Sequence, residues 1–422
     1  MQTKSTLSRR AMLRSSAAIT AVAALSTSLF SQAQTSTVTT TSTTSYTSTS
    51  TSTSTSTPNP TSGGPRLRLI GHTTLAHKLP FKGTTVGGLS GIDYDRERGV
   101  YYTISDDRSD INPARFYTLK LPITADSVGA PELLAVTTLQ TPSGQPYPSK
   151  RTVTADNPDV PDTESIRLRS ATNTLYYTSE GDIQRGMHPF VREMRLDGSY
   201  LSQVPVPTMF AADITGKTGP RQNKGFEGLS FTPSGDTAWF ATEAALVQDG
   251  PEPAVGTPGG PIRLTQFATH SGQPFRQIAY VPDAIPAAPK VAGITLPAAI
   301  TPEALADNGI SEIWMASETG MLVLERAYAR GVGNSLRLYW IDTEDATDVL
   351  DMPTLVGAKF KPADKKLLLD FATAGLPRLD NTEGMTRGPT LPNGNPTLVF
   401  VSDDNFSSSQ ITQFVVFEWL AN

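Results

Sequence analysis

The sequence predicts an all-β chain, a β-propeller of five or six blades preceded by a disordered N-terminal segment. Three observations predict it. A local pattern recurs around the chain, strand-type runs fill the stretch from Arg66 onward, and 33 Gly with 33 Pro supply turns while sustained helical periodicity is scarce. The pattern is a carboxylate beside a small residue and an aliphatic, then a second carboxylate ending an aromatic strand. It reads Glu164-Ser165-Ile166 and, sixteen residues after Glu164, Glu180 behind Tyr176-Tyr177. It returns as Glu227-Gly228-Leu229 with Glu243 behind Trp239-Phe240. A third copy pairs Ser90-Gly91-Ile92 with Asp106-Asp107, Ser90 replacing the leading acid. A fourth pairs Glu383-Gly384-Met385 with Asp403-Asp404, its spacing stretched to twenty by the turn-rich insert around Asn393-Gly394. Ser311-Glu312-Ile313 and Leu322-Val323-Leu324-Glu325-Arg326 form a shorter, weaker relative. Self-similarity at roughly 50–80 residues means repeated supersecondary units that share a core. Arranged radially, they bring equivalent residues together near the axis.

In chain order, residues 1–33 read as an export signal. Lys4, Arg9, Arg10 and Arg14 precede an apolar run from Ala17 to Phe30, and small residues frame a cleavage point before Gln34. The run is too short to span a bilayer and no stop-transfer pattern follows, so no transmembrane helix is expected in the mature chain. Ser8-Arg9-Arg10-Ala11-Met12 resembles a twin-arginine signal. The expected location is therefore periplasmic, extracellular or at the cell surface. Residues 34–64 form a Ser/Thr-rich linker, too polar to offset the entropy of ordering. Residues 65–422 are the propeller domain. Strand runs are expected at 66–70, 100–104, 115–119, 165–168, 175–178, 191–196, 228–231, 238–241, 262–267, 277–280, 322–324, 336–341, 398–401 and 413–419. Turn signals such as Asp197-Gly198 and Ser234-Gly235 separate them. Short helical turns are expected at most at 299–306 and 344–350. A sixth blade has room in 345–380, and the strand at 66–75 could pair with the C-terminal one.

The formal charge is −5, and removing 1–33 takes away four bases and no acids, leaving 31 against 40, or −9. An acidic chain without a basic, aromatic-laced patch is a poor nucleic-acid binder. The absence of cysteine excludes thiolate catalysis and zinc–thiolate sites, and is compatible with a large exported core that needs no disulfides. Gly88-Leu89-Ser90-Gly91 lacks the Gly-x-Ser-x-Gly spacing of a nucleophile elbow. None of the four His sits near a Ser–acid pair, and Gly256–Gly260 is followed by no Lys-Ser or Lys-Thr.

The segments Gly88-Leu89-Ser90-Gly91-Ile92, Asp162-Thr163-Glu164-Ser165-Ile166 and Asn223-Lys224-Gly225-Phe226-Glu227-Gly228-Leu229 resemble the phytase-like family, exported bacterial proteins described by esterase-like activity of phytase. Leu322-Val323-Leu324-Glu325-Arg326 and Val401-Ser402-Asp403-Asp404-Asn405-Phe406 extend the resemblance over residues 66–420. It implies a propeller whose acids mark a phytase- or phosphodiesterase-like centre. Lys224, where the family often has Arg, and Ser90, which carries no acid, depart from the pattern.

Carboxylates crowded at one mouth raise one another's pKa, and protons, bases or a hard cation relieve the strain. Glu164, Glu227 and Glu383 are the acid–base candidates. Asp106, Asp107, Glu180, Glu243, Asp403 and Asp404 are candidate ligands for Ca2+, which takes 6–8 oxygen ligands. Arg108, Lys224, Arg326 and Arg387 are the candidate binders of an anionic substrate. Together they describe a monomeric hydrolase acting on a small phosphoester or ester. Two alternatives stand beside it: a non-catalytic propeller that displays a binding face, and a carboxylic-ester or lactone hydrolase on the same scaffold. A structural reading of the acids also stands, as latches that hydrogen-bond backbone amides between blades.

Overall fold

The computed structural model describes residues 66–153, 159–291 and 301–420. The expected signal and linker lie outside the described residues. After β1 (Arg66–Thr74) and a small hairpin, β2 (Pro80–Phe81) with β3 (Thr84–Thr85), four blades follow in chain order. The first blade is β4 (Leu89–Asp95), β5 (Val100–Ser105), β6 (Arg115–Lys120) and β7 (Glu132–Thr138). The second is β8 (Thr163–Arg169), β9 (Thr174–Ser179), β10 (Phe190–Arg195) and β11 (Tyr200–Gln203). The third is β12 (Phe226–Phe231), β13 (Thr237–Thr242), β14 (Ile262–Ala268) and β15 (Pro274–Tyr280). The fourth is β16 (Ala306–Met315), β17 (Gly320–Ala329), β18 (Gly333–Asp342) and β19 (Lys365–Asp370). The fifth takes β20 (Asn381–Thr390), β21 (Pro396–Asp403) and β22 (Gln413–Leu420), and β1 completes it as the outer strand, antiparallel to β22.

Each blade is thus a four-stranded antiparallel meander, and the first strands β4, β8, β12, β16 and β20 contact one another in a closed circle. The propeller has five blades. The room seen for a sixth is taken by β19, which pairs with β18 as the edge of the fourth blade. Residues 344–350 form turns with no helix, and the helical turn expected at 299–306 is a 3₁₀ turn over Pro302–Leu305.

Continuous apolar runs suit second strands, which are covered on both faces by neighbouring blades. Every residue of β5 and β9 is buried. The core accordingly divides into one large cluster at each of the five blade–blade junctions. Ile92, Tyr101 and Tyr117 meet Val399, Val401 and Phe414, for example, while Trp239 and Ile262 meet Ile310, Met321 and Tyr339. The remaining three junctions repeat this arrangement. No blade can bury its faces without both neighbours, so the ring is the folding unit.

Candidate functional site

The inner strands break their ladders at one place. The β4–β5 register shifts between Leu89 and Gly91, β8–β9 between Thr163 and Ile166, and β12–β13 between Phe226 and Leu229. The shift recurs between Ile310 and Glu312, and between Thr382 and Gly384. A bulge leaves a residue outside the ladder and re-aims its side chain. The residues set free this way are Ser90, Glu164, Glu227, Ser311 and Glu383, so the recurring motif is the sequence of five aligned bulges. The small residue that follows lets inner strands approach. A Cβ on Gly228 would lie 2.6 Å from the Ile313 amide nitrogen, and one on Gly91 2.5 Å from the Glu164 carbonyl oxygen.

Register also defines a second ring at the ends of the second strands. Leu89 pairs with Ser105, Thr163 with Ser179, Phe226 with Thr242, Ile310 with Glu325 and Thr382 with Ser402. The next residues are Asp106, Glu180, Glu243, Arg326 and Asp403. The fourth blade therefore places an arginine where the others place acids. Its own acid, Glu325, lies one position earlier and faces away, accepting from Tyr280 Oη and Lys365 Nζ at 2.6 Å each.

The two rings meet at one mouth of the axis. Glu180, Glu227 and Glu243, all buried, offer oxygens within 4.8 Å of one another, and so do Asp162, Glu164 and Glu180. Arg326 joins third, fourth and fifth blades through Glu243 at 3.2 Å and Glu383 at 3.6 Å. Lys224 reaches Glu243 at 3.1 Å and Asp307 at 3.5 Å, and Arg108 crosses from the first blade to Asp162 at 2.5 Å. Asn381 Nδ2 donates to Glu383 at 2.9 Å and Asp403 at 3.2 Å. Glu180 accepts the Gly225 amide at 3.0 Å. Glu227 Oε2 is buried without a hydrogen-bond partner among the described residues, and Arg326 Nε is likewise unpartnered.

Burial and mutual repulsion set the electrostatics. Desolvation first, then Glu227 and Glu180, holds Glu164 well above the usual carboxylate range. Desolvation with Glu180 and Glu243 does the same to Glu227. Glu180 is pushed up to about 8 by burial, Asp162 and Glu243. Asp106 is raised well above normal by burial, Glu383 and Asp162, and Asp403 by burial, Asp106 and Glu383. Glu383 is raised by burial but pulled back by Arg326. Burial opposes the charges of Arg108, Lys224 and Arg326, yet the surrounding carboxylates more than offset it and hold all three above ordinary values.

Immediately behind the acids the axis is stopped. Arg167, 2% exposed, pairs with wholly buried Glu312 at 2.7 Å. Its guanidinium donates to the carbonyls of Ile92 at 2.6 Å, Ile166 at 2.9 Å, Met385 at 3.0 Å and Ile313 at 3.3 Å. Glu312 accepts from Ser165 Oγ and the amides of Leu229 and Ile313. One ion pair thus ties the inner strands of all five blades and closes the axis behind the acidic mouth.

Three of the expected site residues stand apart. Asp107 accepts the amides of Asp110, Ile111 and Asn112 and pairs with Arg115 at 2.7 Å, so it fixes the β5–β6 connection of its own blade. Asp404 accepts the amides of Gly88 and Phe406, so it is a latch that fastens the fifth blade to the first. Arg387 lies further along β20, beside Leu398 in the ladder and away from the bulge, so the distance along the strand removes it from the mouth. Four residues join the site without having been singled out for it: Asp162, one position ahead of β8, Asn381, which opens β20 opposite Asp403, and Asn223 and Asp307 at the rim. Asp162 precedes Thr163-Glu164 within the recurring motif, a signal that could have found it.

Fold and site define a five-bladed propeller with a carboxylate-lined axial mouth carrying three basic side chains. The chain belongs to the phytase-like family, described by esterase-like activity of phytase, which matches residues 84–406. No curated protein matches it. Solved structures similar to it include the catalytic domain of a GH62 α-L-arabinofuranosidase from Coprinopsis cinerea, at 8% identity over 84% of this chain and 97% of that one, with a TM-score of 0.39. A mannose phosphorylase from Leishmania mexicana, in complex with phosphate ion, matches at 9% identity over 83% and 88%, with a TM-score of 0.37. A gluconolactonase from Xanthomonas campestris matches at 10% over 84% and 94%, with a TM-score of 0.34.

Proposed function

We propose that the protein is an exported hydrolase that cleaves a phosphoester at the acidic mouth, with a hard divalent cation such as calcium held by Glu180, Glu227 and Glu243. The observation that carries this reading is the approach of those three buried carboxylates within 4.8 Å of one another, beside an unpartnered Glu227 oxygen. Two ligands on opposite sides of a calcium ion, at about 2.4 Å each, stand about 4.8 Å apart. Bound there, the cation supplies Lewis-acid polarisation of a phosphoryl oxygen. Arg326, Lys224 and Arg108 supply the charge that holds the anionic substrate, each already tied to a carboxylate of the rings and none fully buried.

Of the three acid–base candidates, Glu227 and Glu164 fall within carboxylate triads, which suits them as ligands. Glu383 lies outside both triads, against Arg326 and Asn381, and so is free to take the proton of an attacking water. Purified residues 60–422 are assayed with phytate, nitrophenyl phosphate and nitrophenyl acetate, with calcium or chelator. Phosphoester turnover should vanish with chelator and fall roughly 100-fold or more in Glu383→Gln, the usual scale for a proton-transfer residue. Turnover of the acetate alone would move the reading to a carboxylic ester. A calcium-raised melting temperature without turnover of any ester would leave a binding module, and overturn the hydrolase.

A further inference from the structure

The two carboxylate triads are not separate. Asp162, Glu164 and Glu180 form one, Glu180, Glu227 and Glu243 the other, and Glu180 belongs to both. We infer that the mouth holds two divalent cations bridged by the Glu180 carboxylate, one in each triad. The inference rests on the reading of this mouth as a cation site and deepens it.

Each triad contains a buried carboxylate that the described residues leave uncompensated. In the second, Glu227 is 4% exposed and its Oε2 has no hydrogen-bond partner among the described residues. In the first, Glu164 is 8% exposed, yet among the described residues no hydrogen bond or ion pair reaches its carboxylate; its neighbours are Glu227, Glu180, Asp162 and Glu383. The bases reach only one member of each triad. Arg108 engages Asp162 through Oδ2, and Lys224 and Arg326 both engage Glu243 through Oε1, so no base pairs with Glu164, Glu180 or Glu227, and of these three Glu180 alone accepts a backbone amide, that of Gly225. Buried carboxylates in this condition need a compensating positive charge.

The charge balance asks for more than one ion. Leaving aside the half-buried rim acid Asp307, three carboxylates on the bulges, four on the strand ends and Asp162 make eight, against Arg108, Lys224 and Arg326. Fully ionised, that leaves an excess of five negative charges; one divalent cation would leave three and two would leave one. The bases are also split between the triads, Arg108 on the first and Lys224 with Arg326 on the second, so a substrate anion spanning both cations meets a base at either end. The chemistry this suits is an in-line phosphoryl displacement, in which paired cations stabilise the attacking and leaving oxygens together.

The test titrates chelator-stripped full-length protein with Mn2+ and with Ca2+ by calorimetry, and follows Mn2+ by electron paramagnetic resonance. Two equivalents per chain are expected, with an exchange-broadened manganese signal at saturation. Asp162→Asn and, independently, Glu164→Gln should each leave one equivalent and restore an isolated-ion signal. Glu180→Gln should weaken both ions at least tenfold. One equivalent in the wild type, unchanged in Asp162→Asn, overturns the bridged pair while leaving the single-cation hydrolase standing. No binding of either ion overturns both readings. Since the wild-type stoichiometry decides by itself, a variant that misfolds does not rescue the inference.

Discussion

Replacing Arg167 by Met removes the cation from the axial stopper while keeping an apolar stem of similar reach. The change leaves Glu312 wholly buried, with only Ser165 Oγ and the Leu229 and Ile313 amides as partners. It also withdraws the donors that hold carbonyls of Ile92, Ile166, Ile313 and Met385 together. Breaking a buried pair from one side costs about 3–5 kcal/mol. At about 2.1 cal/mol/K per residue, some 350 folded residues give an unfolding entropy of about 0.7 kcal/mol/K, so Tm should fall by about 4–7 °C. Burial against the pull of Arg167 already holds Glu312 up at about 7. Without Arg167 that pKa rises further, so the variant's carboxyl is neutral in acid and strained in base. A raised acid loses stability as pH climbs from its unfolded value towards its folded one, and the deficit should therefore be small near pH 5 and largest near pH 8. Scanning calorimetry of metal-free protein at both pH values measures it. Arg167→Met/Glu312→Leu, which removes both charges, should recover at least half of the loss. A fall of less than about 1 °C at pH 8, or a double variant worse than the single one, refutes the pair as the tie between blades.

Four further outcomes are expected. Because burial and repulsion raise Glu164, Glu227 and, to about 8, Glu180, the metal-free fold binds more protons than the unfolded chain between roughly pH 4.5 and 8. Its Tm should decline across that window, and calcium, standing in for the protons, should flatten the slope; parallel melts with and without calcium show it. Gly228→Ala places a Cβ 2.6 Å from the Ile313 nitrogen, and overpacking of this kind should cost about 1–3 kcal/mol in urea unfolding. Lys224→Ala should raise KM roughly tenfold or more, on the scale of a hydrogen bond to a charged group, whereas Arg387→Ala should leave it unchanged. Deleting β1 removes the outer strand of the fifth blade, and limited proteolysis should then cut within β20–β22 far faster than in the intact ring.

Much of this was legible because the bulge has a sequence signature. A carboxylate followed by Gly or Ser inside an otherwise apolar strand contradicts strand propensity, and the contradiction returned in register around the chain. What failed were positions whose meaning depends on facing. Asp107 and Asp404 follow ring acids by one residue, and strand alternation turns them to the opposite side. Arg387 lies four residues beyond Glu383, about 13 Å down the strand at about 3.3 Å per residue. In the fourth blade the order Glu325-Arg326 shifts the acid one place early, so an expected cation stands in a ring position and an acid leaves it. The stopper was invisible for another reason. Arg167 and Glu312 sit 145 residues apart in unremarkable alternation, and only closure of the circle places them on one axis. The outer strands β7, β11 and β19 were missed because edge strands are only half-buried, with no fully buried residue to mark them.

The ladder that seals the fifth blade also decides how this molecule can be held. Asn381 and Asp403 mark the acidic end of β20 and β21; Gln413 and Thr74 lie at that same end of β22 and β1, and Leu420 faces Arg66 at the far one. The described chain therefore starts and stops side by side at the end of the fifth blade opposite the acids. A bead, dye or fusion partner joined at either of these ends grips the far face and leaves the acidic mouth pointing outward. A short bridge from Leu420 to Arg66, with new ends cut in a turn such as that at Gly357, should give a permuted ring with its chemistry undisturbed.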